Sequence, residues 1–263
     1  MAKENPWETI WGRGASAAST STPRQDPHER ERRRLLAWWA EHPWNWLTGI
    51  DTTSPDEQYP DGRPIILTTD ELDEEAPIKA FPAKDYLRRY VDLIHQEQFV
   101  LVDKARQMMI STTSLLYIDW HCRFRPNRRW IVSKRTEDES VEMLQDKVRN
   151  VHPRLPEWVQ AASPQRPKPV KKVRYPEVTI PGFGRAGGGY ILAANEKMAE
   201  GAARGGTASG VFVDEGARQD RFGAIISASL PMAAKLIAVS TAEIGTPGAR
   251  VYKAYLQEGL VAA

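Results

Sequence analysis

From residue 81 onward, short apolar runs alternate with stretches of helical period. The runs Phe99–Val102, Trp130–Ser133, Tyr190–Ala193, Gly210–Val213 and Leu236–Ser240 read as strands, with a further strand near Glu177–Ile180. Between them lie helix candidates at Ala83–His95, Thr112–Phe124, Thr136–Val151, Phe222–Leu230 and around Ala249–Leu256. In the third of these, Glu139, Met143 and Lys147 follow helical spacing. Strands that alternate with helices predict an α/β domain, a mostly parallel sheet with helices on both faces. The chain shows no internal repeat of fixed period.

The N-terminal part reads differently. Residues 1–25 contain ASAASTSTP and carry no sustained periodicity, which predicts a mobile tail. Trp7 and Trp11 fit that reading poorly, and would dock on a partner or on the body of the protein. The stretch HERERRRLLAWWAEH predicts a helix with Asp26 as N-cap and Pro27 in its first position. Six of the nine tryptophans fall within residues 1–46, so this segment is expected to pack on something. Residues 51–77 carry turn formers and an acidic run, with one short strand expected near Ile65–Leu67. The division that follows is a tail with the start of a basic helix over 1–35, and one domain over 36–263.

Composition narrows the picture only a little. With 263 residues the chain fits one sizeable domain, or one domain plus an arm. It has no apolar run of about 18 residues and no apolar N-terminal segment of the secretory kind. The single cysteine, Cys122, has no partner for an internal disulfide, which suits a reducing compartment. The net charge of +2 says little about partners.

Candidate chemistry sits at two strand ends. Phe99 to Thr113 reads FVLVDKARQMMISTT, an apolar strand running into a loop and then a helix. A standard phosphate loop is GxxxxGK[ST], in which backbone amides cradle phosphates, the lysine meets them and the hydroxyl ligates Mg²⁺. Here Met109 stands where the second glycine belongs and Ile110 where the lysine belongs. Lys104, on the first turn of the loop, would reach the same phosphates from the opposite end, and Arg106 adds a second cation. Ser111 keeps the hydroxyl position, and the helix start offers free amides and a positive dipole. By itself the segment fits equally a buried strand–turn–helix whose Lys and Arg only solvate a loop.

The second end is VFVDEGA, Val211 to Ala217, about a hundred residues later. Two acids at the carboxyl end of a strand in a parallel sheet stand where ligands bind. Asp214 would hold Mg²⁺ through water, and Glu215 would orient and deprotonate an attacking water. Alternation along the strand sends the two side chains different ways, as two roles require. A strand followed by an acidic helix cap would read alike, but order and separation relative to the first segment favour a paired site.

The string KARQMMISTT resembles the variant phosphate loop (Walker A) of large terminase subunits, the DNA-packaging motors of tailed bacteriophages, which show K-x-R-Q-x-G-x-S-T. Lys104, Arg106, Gln107, Ser111 and Thr112 match, and Met109 departs from the usual glycine. An R-G-x-T stretch precedes the acidic strand in that family, and Arg204, Gly205 and Thr207 resemble it. Ser240-Thr241-Ala242 resembles its coupling motif, and HPWNWLTG with Phe81-Pro82 and Tyr86-Leu87 resembles its approach to the nucleotide. The likeness covers roughly residues 37–260.

It implies a P-loop NTPase fold of the RecA/ASCE type with an N-terminal helical and loop arm, and Mg-ATP hydrolysis that drives double-stranded DNA into a procapsid. Lys104 and the loop Ala105, Arg106, Gln107, Met108, Met109, Ile110, Ser111 and Thr112 would bind the nucleotide, with Phe81, Pro82 and Tyr86 against the base. Ser111 and Asp214 would hold Mg²⁺ and Glu215 would act as base. Arg204, on a glycine-flanked loop, would serve as arginine finger for a neighbouring subunit, a role contributing on the order of 10³–10⁵ in rate elsewhere. The implied partners are duplex DNA, portal protein, small terminase subunit and further copies in a ring on the portal, in the host cytoplasm and without a membrane. Large terminases carry an RNase H-like nuclease after the coupling motif; little chain remains here, so no DNA cleavage is expected. Two other readings stand beside the motor: a helicase-like lobe acting with a partner chain, and a non-hydrolysing DNA- or portal-binding relic, which Met109 supports.

Three further signals carry less. Gly182 to Gly187 is a formal GxGxxG, but a strand pattern follows it where a dinucleotide site needs a helix. His121 and Cys122 are adjacent on a helix and point apart, so no structural metal is expected. Basic clusters at Arg30 and Arg32–Arg34, at Arg123, Arg125, Arg128 and Arg129, and at Arg166, Lys168, Lys171, Lys172 and Arg174 would suit DNA phosphates, but solvated faces look the same and no single residue is assigned to DNA.

Overall fold

The computed structural model describes residues 28–69, 73–106, 108–166, 170–205 and 208–258. The expected tail, Asp26 and Pro27 lie outside them. The first helix, α1 (Glu29–Glu41), starts at Glu29 behind His28, whose side chain makes no cap hydrogen bond. Its apolar face buries Leu35, Leu36 and Trp39. α2 (Pro43–Leu47) follows at once, with the His42 ring accepting from the Trp44 N–H. Two small antiparallel pairs come next, β1 (Ile50–Asp51) with β2 (Arg63–Pro64), and β3 (Leu67–Thr69) with β4 (Ile78–Ala80). The strand expected near Ile65–Leu67 is thus β3, beginning at Leu67.

Then the βα alternation sets in. In chain order come α3 (Asp85–Gln96), β5 (Phe99–Asp103), α4 (Ile110–Phe124), β6 (Arg129–Ser133), α5 (Glu137–Leu144), α6 (Glu157–Ala162), β7 (Lys172–Arg174), β8 (Val178–Ile180), β9 (Gly184–Ala186) and β10 (Tyr190–Ala194). α7 (Glu196–Gly205), β11 (Gly210–Asp214), α8 (Phe222–Ser229), β12 (Leu236–Ser240) and α9 (Pro247–Glu258) complete it. The start of α5 is fixed by its sequence: Thr136 accepts from the Glu139 N–H while the Glu139 carboxylate accepts from the Thr136 N–H, a reciprocal cap. The expected helix to Val151 instead passes into a π turn at Gln145–Arg149.

Six strands form the central sheet in the order β5-β12-β11-β6-β10-β7. All pairs are parallel except β7 on β10 at the edge. The mostly parallel α/β sheet is therefore as the periodicity predicts. β11 and β12 are buried along their whole length, as strands covered on both faces must be. Their alternating residues feed two cores. Phe212, Ile237 and Val239 join Val100, Val132 and the packing of α1 to α4 on one face. Val211, Val213, Leu236 and Ala238 meet Phe222, Ile225, Ile226 and Tyr252 on the other. Gly210 pairs with Trp130, and a Cβ there would run into the Trp130 ring, so the small residue lets that indole lie flat on the sheet.

The tryptophan-rich arm is part of the first core. Trp39 stacks on Trp158 at 5.6 Å and Trp46 meets Phe124 edge-on at 5.1 Å. The Trp120 indole N–H donates to the Trp39 carbonyl at 2.9 Å, tying α4 to α1.

Several expectations change. The Pro- and Lys-rich stretch contains edge strand β7, unseen because three residues give too short an alternation to read. Residues read as a glycine-flanked loop include α7, which ends at Gly205. The GxGxxG lies in the β8–β9 hairpin, away from the main sheet. Arg123 is 1% exposed and cannot face DNA: it donates to Asp119 at 3.0 Å and to the Ser163 carbonyl at 2.5 Å, beneath Tyr175, whose hydroxyl also donates to Asp119. Arg125 is likewise engaged, donating to the Ala40 and Glu41 carbonyls over the Trp120 ring. Among the described residues no helix is long and apolar enough to cross a membrane.

Three histidines are packed in the fold rather than aimed at a ligand. The His121 ring accepts the Trp130 indole N–H at 2.9 Å. Burial, with Arg128 and Arg125 nearby, pushes His121 down to about 3 from its usual 6.5. Burial likewise lowers His95 and His152 to about 4. A base depressed in the folded state contributes stability that is complete above its unfolded value and is lost as pH falls toward the folded one. The melting temperature should therefore drop steadily from about pH 6.5 to about pH 4, and His121→Gln should flatten the slope. Thermal melts across that range check this, and an unchanged slope contradicts it.

Candidate functional site

Parallel strands end on the same edge, so β5, β12, β11 and β6 deliver Asp103, Ser240, Asp214 and Ser133 to one rim of the sheet. The chain steps from β5 across to β6 and later returns to fill β11 and β12 between them, which opens a crevice at that rim. The Lys104 N–H donates to the Ser240 carbonyl at 2.9 Å, extending the β5–β12 ladder one residue into the loop.

The loop after β5 ends in a left-handed residue. Met109 has φ 55° and ψ 11° at the N-cap of α4. This is backbone that a glycine adopts freely and a methionine at a cost of about 1–2 kcal/mol. The loop thus keeps the turn that the missing glycine would make. Ile110, in the place of the standard lysine, is 4% exposed and anchors α4 in the core. One residue on, the Ser111 hydroxyl donates to Asp214 Oδ1 at 2.7 Å across 103 residues of sequence. The two residues expected to share a metal are in contact.

Asp214 is 4% exposed. Burial pushes its carboxyl upward, opposed by the Ser111 hydrogen bond and the charges of Lys134 and Lys104, with Glu215 adding to the rise. Lys104 and Glu215 therefore act on the same carboxylate, one from each of the two distant segments. Lys134 was not anticipated. Its ammonium lies 3.8 Å from Asp214 Oδ2 and is mostly buried. A lysine directly after the apolar run of β6 was the available signal, since the rule that selects Asp214 applies there too.

Lys104 and Ser111, though not Asp214, Glu215 or Lys134, line a cavity of about 560 Å³, within the range of small-molecule sites. Lys104, Met108, Met109, Ile110, Ser111 and Thr112 line one side; Thr68, Thr69, Lys79 and Ala80 of the β3–β4 pair, with Pro82, Lys84 and Tyr86, line another, and Lys147 completes it. Among the described lining residues are four lysines and no carboxylate. Lys79 also pairs with Asp73 at 2.7 Å. Tyr86 donates from its hydroxyl to the Met108 carbonyl at 3.3 Å, fastening α3 to the loop.

Glu215 follows Asp214 in a left-handed conformation, φ 53° and ψ 44°. The turn Gly216–Arg218 after it is held tightly. Gln219, fully buried, donates its amide to the Asp214 and Ser133 carbonyls at 2.8 and 3.2 Å, locking the ends of β11 and β6 together. The Ala217 N–H donates to Ser240 Oγ at 3.1 Å, so the expected coupling serine touches the acidic turn directly. Ser240 is buried, Thr241 half-buried and Ala242 exposed.

Not every predicted residue is at the cavity. Phe81 is 5% exposed, meets Trp44 edge-on at 6.2 Å and packs in the core, because its backbone pairs with Ile66 under the β3–β4 arm. Pro82 and Tyr86 do line the cavity. Ala105 and Arg106 are exposed, and neither is among the lining residues. Gln107 and Thr207 lie outside the described residues. Arg204 sits in the last turn of α7, not on a loop.

The residues fit a nucleotide with Mg²⁺. Ser111 and Asp214 are hard oxygen donors, and Mg²⁺ binds one or two such side chains plus substrate phosphates. When bound, the ion would supply charge neutralisation and polarisation at phosphoryl oxygens.

No family model matches the sequence, and no curated protein does. Solved structures do show likeness. A variant of the large terminase ATPase domain of Thermus phage P74-26 is 17% identical over 63% of this chain and 67% of that chain, with a TM-score of 0.47. The large terminase of bacteriophage HK97 is 13% identical over 68% of this chain and 38% of that one, with a TM-score of 0.49. A large terminase from a thermophilic bacteriophage, solved with ADP, is 12% identical over 60% of this chain and 39% of that one, with a TM-score of 0.41. The chain spans well under half the length of the last two.

The loop conformation is open to test. Met109→Gly should leave stability equal or higher by up to about 1 kcal/mol, since relief of the left-handed strain exceeds the added unfolded-state entropy. Met109→Val should cost about 1–2 kcal/mol, a β-branched residue being poorly suited to that backbone. Urea midpoints decide, and equal midpoints for the two variants would contradict the strain assignment.

Proposed function

We propose that this chain is an Mg-ATP hydrolase of the terminase kind, and that it powers movement of duplex DNA into a viral procapsid. The observation that carries the enzymatic half is the Ser111–Asp214 hydrogen bond beside a lysine-lined cavity. A hydroxyl from a helix start and a buried carboxylate from a strand end, in direct contact and with Lys104 acting on the same carboxylate, form the donor set that Mg-triphosphate requires. The packaging half is supported by the KxRQxxxST loop and by the coupling segment after β12.

In this reading Lys104 binds the phosphates and replaces the lysine that Ile110 displaces, while the amides at the start of α4 bind oxygens of the same group. Lys84 and Lys147 add positive charge around the cavity, and Pro82 and Tyr86 face the base. Ser111 and Asp214 hold Mg²⁺. Glu215 takes the proton from the attacking water, and Arg204 acts on the site of a neighbouring subunit. Duplex DNA, a portal, a small terminase subunit and a ring of further copies are the partners this role requires, in the host cytoplasm. A helicase-like lobe would need a second nucleotide-binding lobe from another chain, and unwinding of a forked duplex distinguishes it.

Two substitutions test the assignment. Glu215→Gln should bind Mg-ATP as the wild type does yet lose turnover by about 10²–10⁴, because only the base is removed. Lys104→Ala should weaken ATP affinity about tenfold or more, because a charge-assisted phosphate contact is lost. Turnover with fluorescent-nucleotide titration reads both. Unchanged turnover in the first removes the base, unchanged affinity in the second removes the displaced lysine, and a wild type that binds ATP without hydrolysing it is the relic.

A further inference from the structure

Each strand of the sheet sends alternate side chains to its two faces. Trp130 of β6, Ile191 of β10 and Val173 of β7 pair across the sheet, and all three are buried in the first core. Their neighbours Arg129, Tyr190 and Arg174, paired in the same way, therefore stand on the opposite face. Arg166 continues this row, because it forms an antiparallel bridge to Arg174 beyond the edge strand. Lys172, two residues before Arg174, shares the face and holds its ammonium 3.9 Å from the centre of the Tyr190 ring. Arg129, Arg166 and Arg174 are exposed. Two basic stretches that are separate in sequence thus converge on one surface. Among the described residues no carboxylate is paired with any of these four cations. Arg166 and Arg174 even stand directly opposite one another, an arrangement that costs stability. Burial, with the charges of Arg174 and Arg129, pushes the Lys172 ammonium down. Other basic residues are committed elsewhere. Arg33 and Arg34 pair with Glu29 and Glu31 of their own helix, Lys171 pairs with Glu137, and Arg123 and Arg125 donate to carbonyls of the fold.

We propose that Arg129, Arg166, Lys172 and Arg174 are the surface on which this chain holds the phosphate backbone of duplex DNA, at the rim of the sheet opposite the nucleotide cavity. The choice of duplex DNA rests on the reading of the chain as a DNA-moving ATPase; the row of cations does not. Neighbouring strands lie about 4.8 Å apart, so the row offers charge at short and even intervals. A nucleic-acid backbone presents its charges in the same manner along its whole length. Single strands are gripped by open aromatic faces on which bases stack, whereas the ring within this row, Tyr190, carries Lys172 over its face. That favours contact with a duplex through its phosphates. Such contacts carry no sequence information, which suits a protein that must move any duplex. Arg129 opens β6 and Ser133 closes it, so the surface and the nucleotide rim are about 13 Å apart at the two ends of one strand. Replacing these cations therefore leaves the residues around Asp214 in place.

The experiment follows the anisotropy of a short labelled duplex with the full chain, without nucleotide, from about 50 to about 200 mM salt. A double variant, Arg129→Gln with Arg174→Gln, should lose two phosphate contacts. Its affinity should fall about tenfold or more, and its slope of log affinity against log salt should become shallower by about 2. Its melting temperature and its Mg-ATP turnover without DNA should match the wild type. Arg34→Gln, which changes a cation paired on its own helix, should bind the duplex as the wild type does. Wild-type affinity and slope in the double variant overturn the proposal, as does an equal loss in Arg34→Gln. A wild type that does not bind the duplex overturns it too. So does a polyglutamate chain that binds the wild type as tightly as the duplex and fails on the double variant, since the surface then serves an acidic protein segment. ATP turnover judges the functional reading separately. If the double variant loses the duplex while the wild type hydrolyses no ATP, the surface stands and the motor reading falls.

Discussion

A single hydrogen bond, from the Ser111 hydroxyl to Asp214 Oδ1, is the point at which the two chemical halves of this chain meet. It exists because of sheet order. β12 is inserted between β5 and β11, so the loop after β5 and the end of β11 flank one strand rather than lying side by side. The start of α4 then overhangs that strand and brings its hydroxyl to the acid. In-register parallel pairing of β5, β12 and β11 sets the height of each strand end, and a slip of one residue would turn Asp214 to the other face.

The same contact explains the charges around it. A carboxylate this deeply buried is costly unless opposite charge and donors are supplied. Ser111, Lys134 and Lys104 supply them, and Gln219 secures the strand ends so that the arrangement holds its spacing. Burial outweighs the three in the balance at Asp214, which leaves the carboxyl raised. Two left-handed residues adjoin this contact in the chain: Met109 precedes the helix that carries Ser111, and Glu215 follows Asp214 into the tight turn.

The arm that precedes the sheet does structural and chemical work together. Trp39, Trp46 and Trp158 build a core against Trp120 and Phe124, so the helix that carries Ser111 is held at its far end. The β3–β4 pair of the same arm then forms a wall of the cavity, which makes the cavity a product of both parts of the chain.

The main strands, the sheet's parallel character and the position of Lys104, Ser111, Asp214 and Glu215 at the ends of elements were legible in the sequence, because long apolar runs and the polar residues that end them are local signals. The rest was not local. Arg204 read as a loop arginine because three nearby glycines outweigh the helical pattern of Glu196 to Ala203, whereas the observed chain carries α7 through to Gly205. Phe81 read as a stacking ring because nothing local reveals Trp44 beside it. Lys134 and Gln219 are ordinary polar residues in the string, and gain meaning only where the ends of β6 and β11 come side by side. Local period and residue type determined the main elements and placed the acids and the lysine at their ends. Strand order decided which of them touch, since proximity across a hundred residues is set by packing and hydrogen-bond register, which no window of sequence contains.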